Sequence, residues 1–374
     1  MRASRRRVVE IESLGAFDAQ VAGGTSSMRG WRVQAVDLRR RSDVLLCMDP
    51  GGAMFLGCLL ADKAEQHLRD GGALVFPAIP DVPFDPYRGH LYTPDELYAG
   101  IGQVEYAKTP DAVIYGWASR VGSGQIDSTL ARAMHDHAID DALEDVLRGV
   151  HAGSPPGAGV VGVMGGHAVG RGDAAYADAV GLGRALAAAG LVVATGGGPG
   201  AMEAANLGAY LSSHPPEAVG EAIDVLATAP RFRPSVTDWA RAAFAVRARW
   251  PDGAANLGIP TWFYGHEPPN PFATGIAKYF QNALREDQLL RVCDAGIVFL
   301  PGAAGTVQEI FQDGCENYYA APDAVAPMVL VGTRHWTHEV PAWPLLVKLA
   351  AQREMASKIF LVDRVMEVPA VLVR

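Results

Sequence analysis

Cysteine is scarce in this sequence, and its spacing carries no metal-binding signature. The 374 residues include four cysteines, Cys47, Cys58, Cys293 and Cys315, and none belongs to a Cys-x-x-Cys pair. Structural zinc sites and disulfide frameworks both need cysteines in close or regular pairs. The sequence therefore predicts no metal site and no disulfide bonds, and we expect reduced thiols in a cytoplasmic protein.

Long apolar runs and an excess of positive charge are also missing. The longest apolar stretch, Val44 to Ala61, is interrupted at Asp49 to Gly52, whereas a membrane-spanning helix needs about 20 apolar residues. The basic N-terminus, Met1 to Arg7, is not followed by the apolar segment of a signal peptide. The formal net charge of −9 disfavours a nucleic-acid-binding surface. We therefore expect neither a membrane nor a nucleic-acid partner.

The composition is that of an ordinary globular protein. Hydrophobic residues make up 49% and charged residues 20% of the chain, which excludes a disordered protein. A chain of this length has room for two domains. The Gly-Ser-Pro-Pro-Gly segment from Gly153 to Gly157 is the best linker candidate. We predict an N-terminal α/β extension over residues 1–155 and a second domain over residues 156–374, and no internal repeat is apparent.

Strand and helix patterns alternate after the linker. Predicted strands are Val160–Met164, Leu191–Thr195, Thr261–Tyr264, Gly296–Leu300, Met328–Val331 and Ile359–Val362, and predicted helices are Ala174–Ala189, Pro199–Leu211, Thr274–Val292, Thr306–Tyr318 and Leu345–Gln352. This alternation predicts an α/β fold with a Rossmann-like, doubly wound parallel sheet. Residues 214–258 interrupt the alternation and are predicted to form a largely helical, arginine-rich insertion.

The N-terminal extension has a less regular pattern. Predicted strands are Asp43–Cys47, Ala73–Pro77 and Val113–Trp117, and predicted helices are Leu59–Arg69 and Ser128–Val150. The second helix has apolar residues at helical spacing. The pattern indicates an α/β unit but no function for it.

Two glycine-rich turns are the most informative features of the second domain. One runs from Gly196 to Glu203 and the other from Pro301 to Glu309, and each lies between a predicted strand and a predicted helix. Such turns offer backbone N–H groups to an anion, and the helix N-terminus adds partial positive charge. Two turns of this kind on one sheet predict a phosphorylated ligand at the carboxyl ends of the strands.

The first turn alone has other interpretations. Gly196-x-Gly198-x-x-Ala201 also fits a variant dinucleotide fingerprint. That fingerprint would need an acidic residue about 20 residues later to bind a ribose, and Glu217 and Glu221 lie there in a loop-like segment. A tight turn without a ligand is a further alternative.

The second turn contains an acidic residue that phosphate binding does not require. Thr306 falls in the predicted first turn of the helix, and Glu309 follows three residues later on the same face. Thr-x-x-Glu is also the pattern of a capping box, which stabilises a helix N-terminus. These two residues by themselves fit a capping box and a catalytic acid equally well.

Several motifs in order resemble one known family. They are Met164-Gly165-Gly166-His167, Gly198-Pro199-Gly200-Ala201-Met202-Glu203-Ala204, Glu267-Pro268-Pro269-Asn270-Pro271, Arg285-x5-Arg291 and Pro301-Gly-Ala-Ala-Gly-Thr-Val-Gln-Glu309. Together they resemble the LOG phosphoribohydrolase family, and within it most closely the bacterial pyrimidine/purine nucleotide 5′-monophosphate nucleosidases. The resemblance covers residues 160 to about 320 and is faint before them.

The resemblance implies hydrolysis of a nucleoside 5′-monophosphate (AMP, GMP, CMP, UMP or IMP) to free base and ribose 5-phosphate, without a metal or other cofactor. Glu309 and Arg285 would be the catalytic residues. The implied substrate-binding residues are Gly165, Gly166, Gly197, Gly198, Gly200, Met202, Glu203, Asn270, Gly302, Gly305 and Thr306. Among these, the second turn would hold the 5′-phosphate, Glu203 would lie near the ribose or base, and Asn270 would order the loop above the pocket.

Other implications concern assembly and alternative functions. The family resemblance implies a homodimer or homotetramer, in which the apolar residues Leu284, Leu289, Leu290, Ile310 and Phe311 would face a neighbouring subunit. Alternatives are a non-catalytic nucleotide sensor and a phosphoribohydrolase acting on cytokinin riboside 5′-monophosphates. Two positions depart from the family pattern: Ala303 replaces a glycine, and Gln308 replaces an acid. If position 303 required a positive φ, alanine there would cost roughly 1 kcal/mol.

Overall fold

The computed structural model describes residues 8–120, 125–153, 159–263 and 267–372. The chain divides into two compact units. The smaller unit contains residues up to His90 together with Val121–Ala142, and the larger contains Leu91–Arg120 together with Leu143–Arg374. Most of the predicted linker lies outside the described residues. Helix α6, which begins at Ile126, ends at Gly153.

The smaller unit has a parallel four-stranded sheet with the strands in chain order. Its strands are β1 (Val9–Ile11), β2 (Trp31–Gln34), β3 (Met54–Leu56) and β4 (Leu74–Phe76), and its helices include α1 (Leu14–Ala22), α2 (Ser42–Leu46) and α3 (Asp62–Asp70). Phe17, Val33 and Phe55 belong to a separate hydrophobic core of this unit. The expectation of an α/β extension near the N-terminus agrees with this sheet.

The smaller unit contains a structural repeat that the sequence does not reveal. Three of its four strands are preceded by a glycine in the same backbone conformation. Gly30, Gly52 and Gly72 each have a positive φ, of 83°, 80° and 86°. Each precedes a strand by one or two residues. The N–H of Gly30 donates to the carbonyl of Gly52 (3.1 Å), and that of Gly52 donates to Gly72 (3.4 Å). Glycine is favoured here because other residues rarely adopt this conformation.

Two strands predicted in the N-terminal half are wrong. Asp43–Cys47 falls on helix α2, where the acidic Asp43 lies in the first turn and favours a helix N-terminus. Val113–Trp117 lies inside helix α5 (Pro110–Arg120). Both segments are rich in apolar or β-branched residues, but their tertiary packing overrides that weak strand preference.

The larger unit contains the remaining elements. Strands are β5 (Val160–Met164), β6 (Val192–Thr195), β7 (Leu257–Gly258), β8 (Gly275–Ile276), β9 (Gly296–Phe299), β10 (Met328–Val331) and β11 (Ile359–Val362), and helices include α4 (Pro94–Leu97), α5, α7 (Ala174–Ala188), α8 (Ala201–Tyr210), α9 (Glu217–Leu226), α10 (Val236–Arg249), α11 (Asn282–Arg291), α12 (Ala304–Tyr319), α13 (Ala342–Ala350) and α14 (Val368–Leu372).

The seven strands form one parallel, doubly wound sheet. Their order is β11-β10-β9-β5-β6-β7-β8. The chain enters at β5, extends the sheet through β6, β7 and β8, and then returns to the other side of β5 with β9. The predicted α/β fold with a parallel sheet is therefore confirmed. The order reverses between β5 and β9, and ligands of such sheets bind at this switch point, outside the carboxyl ends of the strands.

Two predicted elements of the larger unit differ in the structure. The predicted strand Thr261–Tyr264 is not a strand of the sheet: Thr261 forms an isolated bridge with Tyr279, and Tyr264 lies outside the described residues. The strand beside β6 is instead the two-residue β7. The predicted helix Thr274–Val292 begins only at Asn282, because Gly275–Ile276 pairs with β7. Strands of two residues are too short to leave a periodic signal in the sequence.

The insertion is helical as predicted, and most of its arginines bind their own chain. Arg241 donates to the carbonyls of Ile101 and Val104, and Arg247 donates to the carbonyl of Pro271. Arg249 pairs with Glu221. Arg231 and Arg233 line a cleft.

Helices α11 and α12 bury most of the apolar residues that were expected to face another subunit. Leu289 and Ile310 are fully buried within this chain, and Leu290 is 4% exposed. This removes most of the apolar surface on which the expected interface depended, and the oligomeric state stays a prediction. None of the described helices combines the length and apolar composition needed to cross a membrane.

Candidate active site

The loops after β5, β6 and β9 meet at the switch point. The N–H of Gly166, after β5, donates to the carbonyl of Pro301, after β9 (3.3 Å). The N–H of Ala201, at the start of α8, donates to the carbonyl of Gly166 (3.1 Å). A Cβ atom on Gly165 would lie 2.9 Å from the Cβ of Ala201. The two glycine turns are therefore neighbours, as parallel strands with adjacent carboxyl ends require.

The first turn needs glycine for steric reasons. Gly197 and Gly200 have φ values of 71° and 75°. A Cβ on Gly200 would come within 2.6 Å of the Gly166 carbonyl oxygen, and one on Gly197 within 2.7 Å of Pro260. Both contacts are shorter than van der Waals packing allows, so these glycines let the backbone segments approach one another.

Two N–H groups of this first turn are already used within the protein. The N–H of Gly197 donates to the hydroxyl of Thr195 (3.0 Å), and that of Ala201 donates to Gly166 as described above. Pro199 has no N–H. An anion at this turn would therefore depend on other N–H groups, among them those of Gly198, Gly200 and Met202.

Asn270 orders the loop beside the first turn. Its backbone N–H donates to Gly197 (2.8 Å), and its side-chain amide donates to Gly198 (3.2 Å) and to the side chain of Asn206 (3.0 Å). Its side-chain oxygen accepts from the backbone of Phe272. With its amide occupied in this way, Asn270 acts on the pocket through the loop.

Residues 91–120, in the N-terminal half of the chain, form hydrogen bonds and an ion pair with the same loop and its neighbours. Tyr98 donates to the carbonyl of Pro269 (2.5 Å). The buried Asp111 pairs with the buried Lys278 (2.7 Å) and accepts from the indole N–H of Trp262 (2.7 Å). Burial lowers the pKa of Lys278, while Asp111 acts in the opposite direction. Residues 91–120 thus take part in holding the site of the larger unit.

The second turn is not a capping box. Helix α12 begins at Ala304 with Ala303 as its N-cap, and the N–H of Val307 donates to the carbonyl of Ala303 (3.0 Å). A capping box would require Thr306 to be the N-cap residue, but Thr306 is the third residue of the helix. Glu309 therefore lies a full turn inside the helix and has no capping role.

Neither departure from the family pattern strains the turn. Ala303 has φ −117° and ψ −142°, outside the region that favours glycine, so the expected cost of about 1 kcal/mol does not arise. Gln308 is exposed. The glycine that is required sterically is Gly302, because a Cβ there would lie 2.2 Å from the hydroxyl of Thr306.

The second turn has an open side. A Cβ on Gly305 would meet nothing within 4 Å. The first N–H groups of any helix have no partner inside it, so the N–H groups at the start of α12 are available to a ligand. His335 fixes the turn, because its ring Nε2 lies 3.0 Å from the carbonyl oxygen of Gly302 and donates to it. This arrangement suits an anion such as a phosphate.

Glu309 and Arg285 lie together in a nearly buried position. Their closest charged atoms, Arg285 Nη1 and Glu309 Oε1, are 3.8 Å apart, and their side chains are 13% and 11% exposed. Burial raises the pKa of Glu309 to about 7, Arg285 opposes this shift, and Glu286 adds to it. Arg285 also pairs with Glu286 at 2.9 Å. A carboxyl group tuned in this way is typical of catalytic sites.

Arg285 also connects Glu309 to the first glycine turn. A Cβ on Gly196 would lie 3.3 Å from Nη2 of Arg285 and 2.8 Å from the sulfur of Met202. The Met202 side chain therefore lies across this turn. The two catalytic candidates and the first turn thus form one continuous site.

The sequence analysis did not predict Glu267 as a site residue, although its carboxylate lies beside the first turn. Its Oε1 lies 3.1 Å from Nδ1 of His167, and its Oε2 would be 3.0 Å from a Cβ on Gly198. Burial raises the pKa of Glu267, while His167 and Arg285 oppose that shift. The signal was present, since both residues lie in motifs that carried the family resemblance.

Glu203 is held away from solvent by an arginine that the sequence did not single out. Arg171 Nε donates to both carboxylate oxygens of Glu203, at 3.1 and 3.2 Å, and both side chains are 1% exposed. The same guanidinium lies 4.5 Å from the ring centre of Trp239. Glu203 therefore serves a structural ion pair, although it lines a cleft beside the first turn. Within the described residues, no acidic, histidine and cysteine side chains cluster as a metal site would require.

Comparisons with known proteins identify no family. No protein-family model and no curated protein matches the sequence. Among solved structures, similar chains are a molybdenum cofactor binding protein from Rippkaea orientalis (14% identity, TM-score 0.37, 59% of this chain and 100% of that chain) and a Moco carrier protein from Chlamydomonas reinhardtii (18%, 0.35, 57% and 94%). A structural-genomics protein, TM1055, is similar at 19% identity with a TM-score of 0.36, over 57% of this chain and 97% of that chain.

Proposed function

We propose that this protein is a nucleoside 5′-monophosphate N-glycosidase of the LOG type, which releases the free base and ribose 5-phosphate. The observation that carries the proposal is the buried pair of Glu309 and Arg285 between two glycine turns at the switch point of the sheet. A phosphate site needs no carboxyl group, whereas glycosidic bond cleavage does.

The chemistry agrees with these residues. Departure of the base leaves positive charge on C1′ and the ring oxygen of the ribose, as in glycoside hydrolysis. Ionised Glu309 would stabilise that charge and orient, or accept a proton from, the attacking water. Arg285 would hold Glu309 and the ribose phosphate in place. The open second turn at Gly302, Gly305 and Thr306 would bind the 5′-phosphate.

Direct incubation tests the proposal. The full-length protein is incubated with AMP, GMP, CMP, UMP and IMP, and free base and ribose 5-phosphate are measured by chromatography. Stoichiometric release of both products from at least one nucleotide supports the enzyme. Tight nucleotide binding without release would support a non-catalytic sensor instead, and release only from cytokinin riboside monophosphates would support the narrower alternative. The unstrained Ala303 and exposed Gln308 favour the enzyme.

The 5′-phosphate should dominate recognition of the substrate. A phosphate at the second turn makes several charge-assisted hydrogen bonds with backbone N–H groups. We expect kcat/KM for AMP to exceed that for adenosine by a factor of at least about 100. Equal efficiency on adenosine and AMP would mean that the glycine turns bind another group.

Activity should rise with pH through neutrality. The proposed mechanism uses ionised Glu309, whose pKa is about 7 in the free protein, so kcat/KM should be low below that pH and level off above it. The substrate phosphate also ionises, with a pKa of about 6. Glu286→Gln separates the two effects, because it removes a charge that raises the pKa of Glu309. This variant should shift the rise to lower pH, and an unmoved profile would exclude Glu309 as its source.

We also propose that the protein is a homodimer or homotetramer, on the family resemblance alone. Light scattering at micromolar concentration should give a mass of at least about twice that of one chain. A fully active monomer would end this proposal and leave the catalytic one intact.

A further inference from the structure

A cleft of about 580 Å³ opens beside the first glycine turn. It is lined by Pro199 and Gly200 of that turn, by Glu267, and by residues 230–233 of the insertion, which form one wall. Its size is within the range of small-ligand pockets. Glu267 lies against Gly198, and the charge of Arg285 acts on the pKa of Glu267, so the cleft lies near the site of Arg285 and Glu309. A nucleotide bound there would have this cleft for its base.

The wall of the cleft is held in place before any ligand binds. Arg171, besides pairing with Glu203, donates from its backbone to Pro230 (3.0 Å) and from its side chain to the carbonyls of Ala229 (3.3 Å) and Trp239 (2.8 Å). Arg231 Nη1 donates to the carbonyl of Ala168 (2.9 Å). The segment is therefore fixed to the loop after β5, and binding would not need to order it.

This wall presents an aromatic ring and a hydrogen-bond donor. Phe232 is partly buried, and the guanidinium of Arg233 lies 5.7 Å from its ring centre. Within the described part of the chain, that guanidinium has no hydrogen bond or ion pair. Arg233 and Glu267 both line the cleft, and the charge of Arg233 lowers the pKa of Glu267. A planar base can stack on such a ring while an arginine binds its edge.

Each carboxylate of the cleft already has a neighbouring group. Glu203 is bound by Arg171, and Oε1 of Glu267 lies 3.1 Å from Nδ1 of His167. Arginine has donors only, so the edge of a base that faces Arg233 must offer acceptors. Guanine and hypoxanthine offer O6 and N7 there, whereas adenine presents its amino group, a second donor, beside N7.

We propose that the wall at Phe232 and Arg233 selects nucleotides with a 6-oxopurine base, such as IMP and GMP, over AMP. This inference rests on the proposed function, since it assigns the base to the cleft and the phosphate to the second turn. Arg233 is the residue that determines the choice, and Phe232 is the surface on which the base stacks.

IMP and AMP test this selection most directly, because they have the same ribose phosphate. They differ only in the purine, where IMP has O6 and a proton on N1, and AMP has an amino group at position 6 and no proton on N1. We expect the full-length protein to have a kcat/KM at least about tenfold higher for IMP than for AMP. Arg233→Ala should reduce that ratio to within about threefold of unity. Arg249→Ala, which removes an exposed arginine of the same insertion that pairs with Glu221, is the matched control and should keep the ratio.

Ribose 5-phosphate, which lacks the base, separates recognition of the base from recognition of the phosphate. Its inhibition constant should be the same in wild type, Arg233→Ala and Phe232→Ala, while Phe232→Ala raises KM for IMP. A wild-type ratio near unity, or a ratio that Arg233→Ala leaves unchanged, would overturn the selection while the glycosidase proposal stands. If no nucleotide is hydrolysed, the glycosidase proposal fails, and calorimetric affinities for IMP and AMP then decide the selection by the same ratio.

Discussion

Glu309→Gln should retain nucleotide binding and lose nearly all turnover. The substitution keeps the shape of the side chain but removes the charge that would face C1′, in a position where only 11% of the side chain is exposed. A well-placed catalytic acid or base typically contributes about 10²–10⁴-fold. We therefore expect kcat to fall by that factor, measured by release of base from the best nucleotide, with the calorimetric affinity changed less than about tenfold.

A matched control lies on the same helix. Glu316 is an exposed glutamate two turns further along α12, and Glu316→Gln should leave kcat within about twofold of wild type. If Glu309→Gln also stays within threefold of wild type, Glu309 has no part in the reaction. Glu309 could not then be explained as a capping residue either, because the N-cap of α12 is Ala303.

The second large effect concerns stability. Arg171→Met should lower the free energy of unfolding of the larger unit by about 3–5 kcal/mol, because it leaves the carboxylate of Glu203 buried without its partner. The substituted side chain also loses its bonds to Ala229 and Trp239. Urea denaturation followed by circular dichroism measures the change. A loss below about 1 kcal/mol would show that the pair is not essential to the fold.

The double variant Arg171→Met/Glu203→Met distinguishes the pair from its separate residues. Methionine at both positions removes both charges and keeps apolar volume, and such replacements of buried ion pairs are often neutral or stabilising. We expect the double variant to be more stable than Arg171→Met alone. A double variant that is less stable by the sum of the two single losses would mean that the two residues act independently.

The glycine turns could be predicted from the sequence because the backbone conformation and close packing that demand glycine involve few residues. Gly200 needs a positive φ and cannot accommodate a Cβ beside Gly166, and only glycine meets both conditions at little cost. Alternating apolar runs and helical patterns likewise predicted the parallel sheet. A parallel sheet brings the carboxyl ends of its strands to one edge, so the meeting of the two turns followed from the same pattern.

Residues with more than one possible partner could not be assigned in that way. Glu203 was predicted near the ribose or base, and it does line the cleft beside the first turn. Its pairing with Arg171, which is 32 residues away in sequence, was not predicted. The pairing depends on how the loop after β5 crosses the start of α8. Similarly, Thr306 and Glu309 fit a capping box and a catalytic site equally well until the first residue of α12 was known.

The sequence by itself thus determined the parallel sheet apart from its two-residue strands, the edge at which the two turns meet and the residues of both turns, because periodicity and glycine sterics act over a few neighbouring positions. Tertiary structure alone decided which charges are paired and that the pKa values of Glu309 and Glu267 are raised. It also decided that Gly30, Gly52 and Gly72 stack as a repeat. Burial and pairing arise between segments distant in the chain, and a buried carboxyl group takes its pKa from neighbours that only the folded chain brings near.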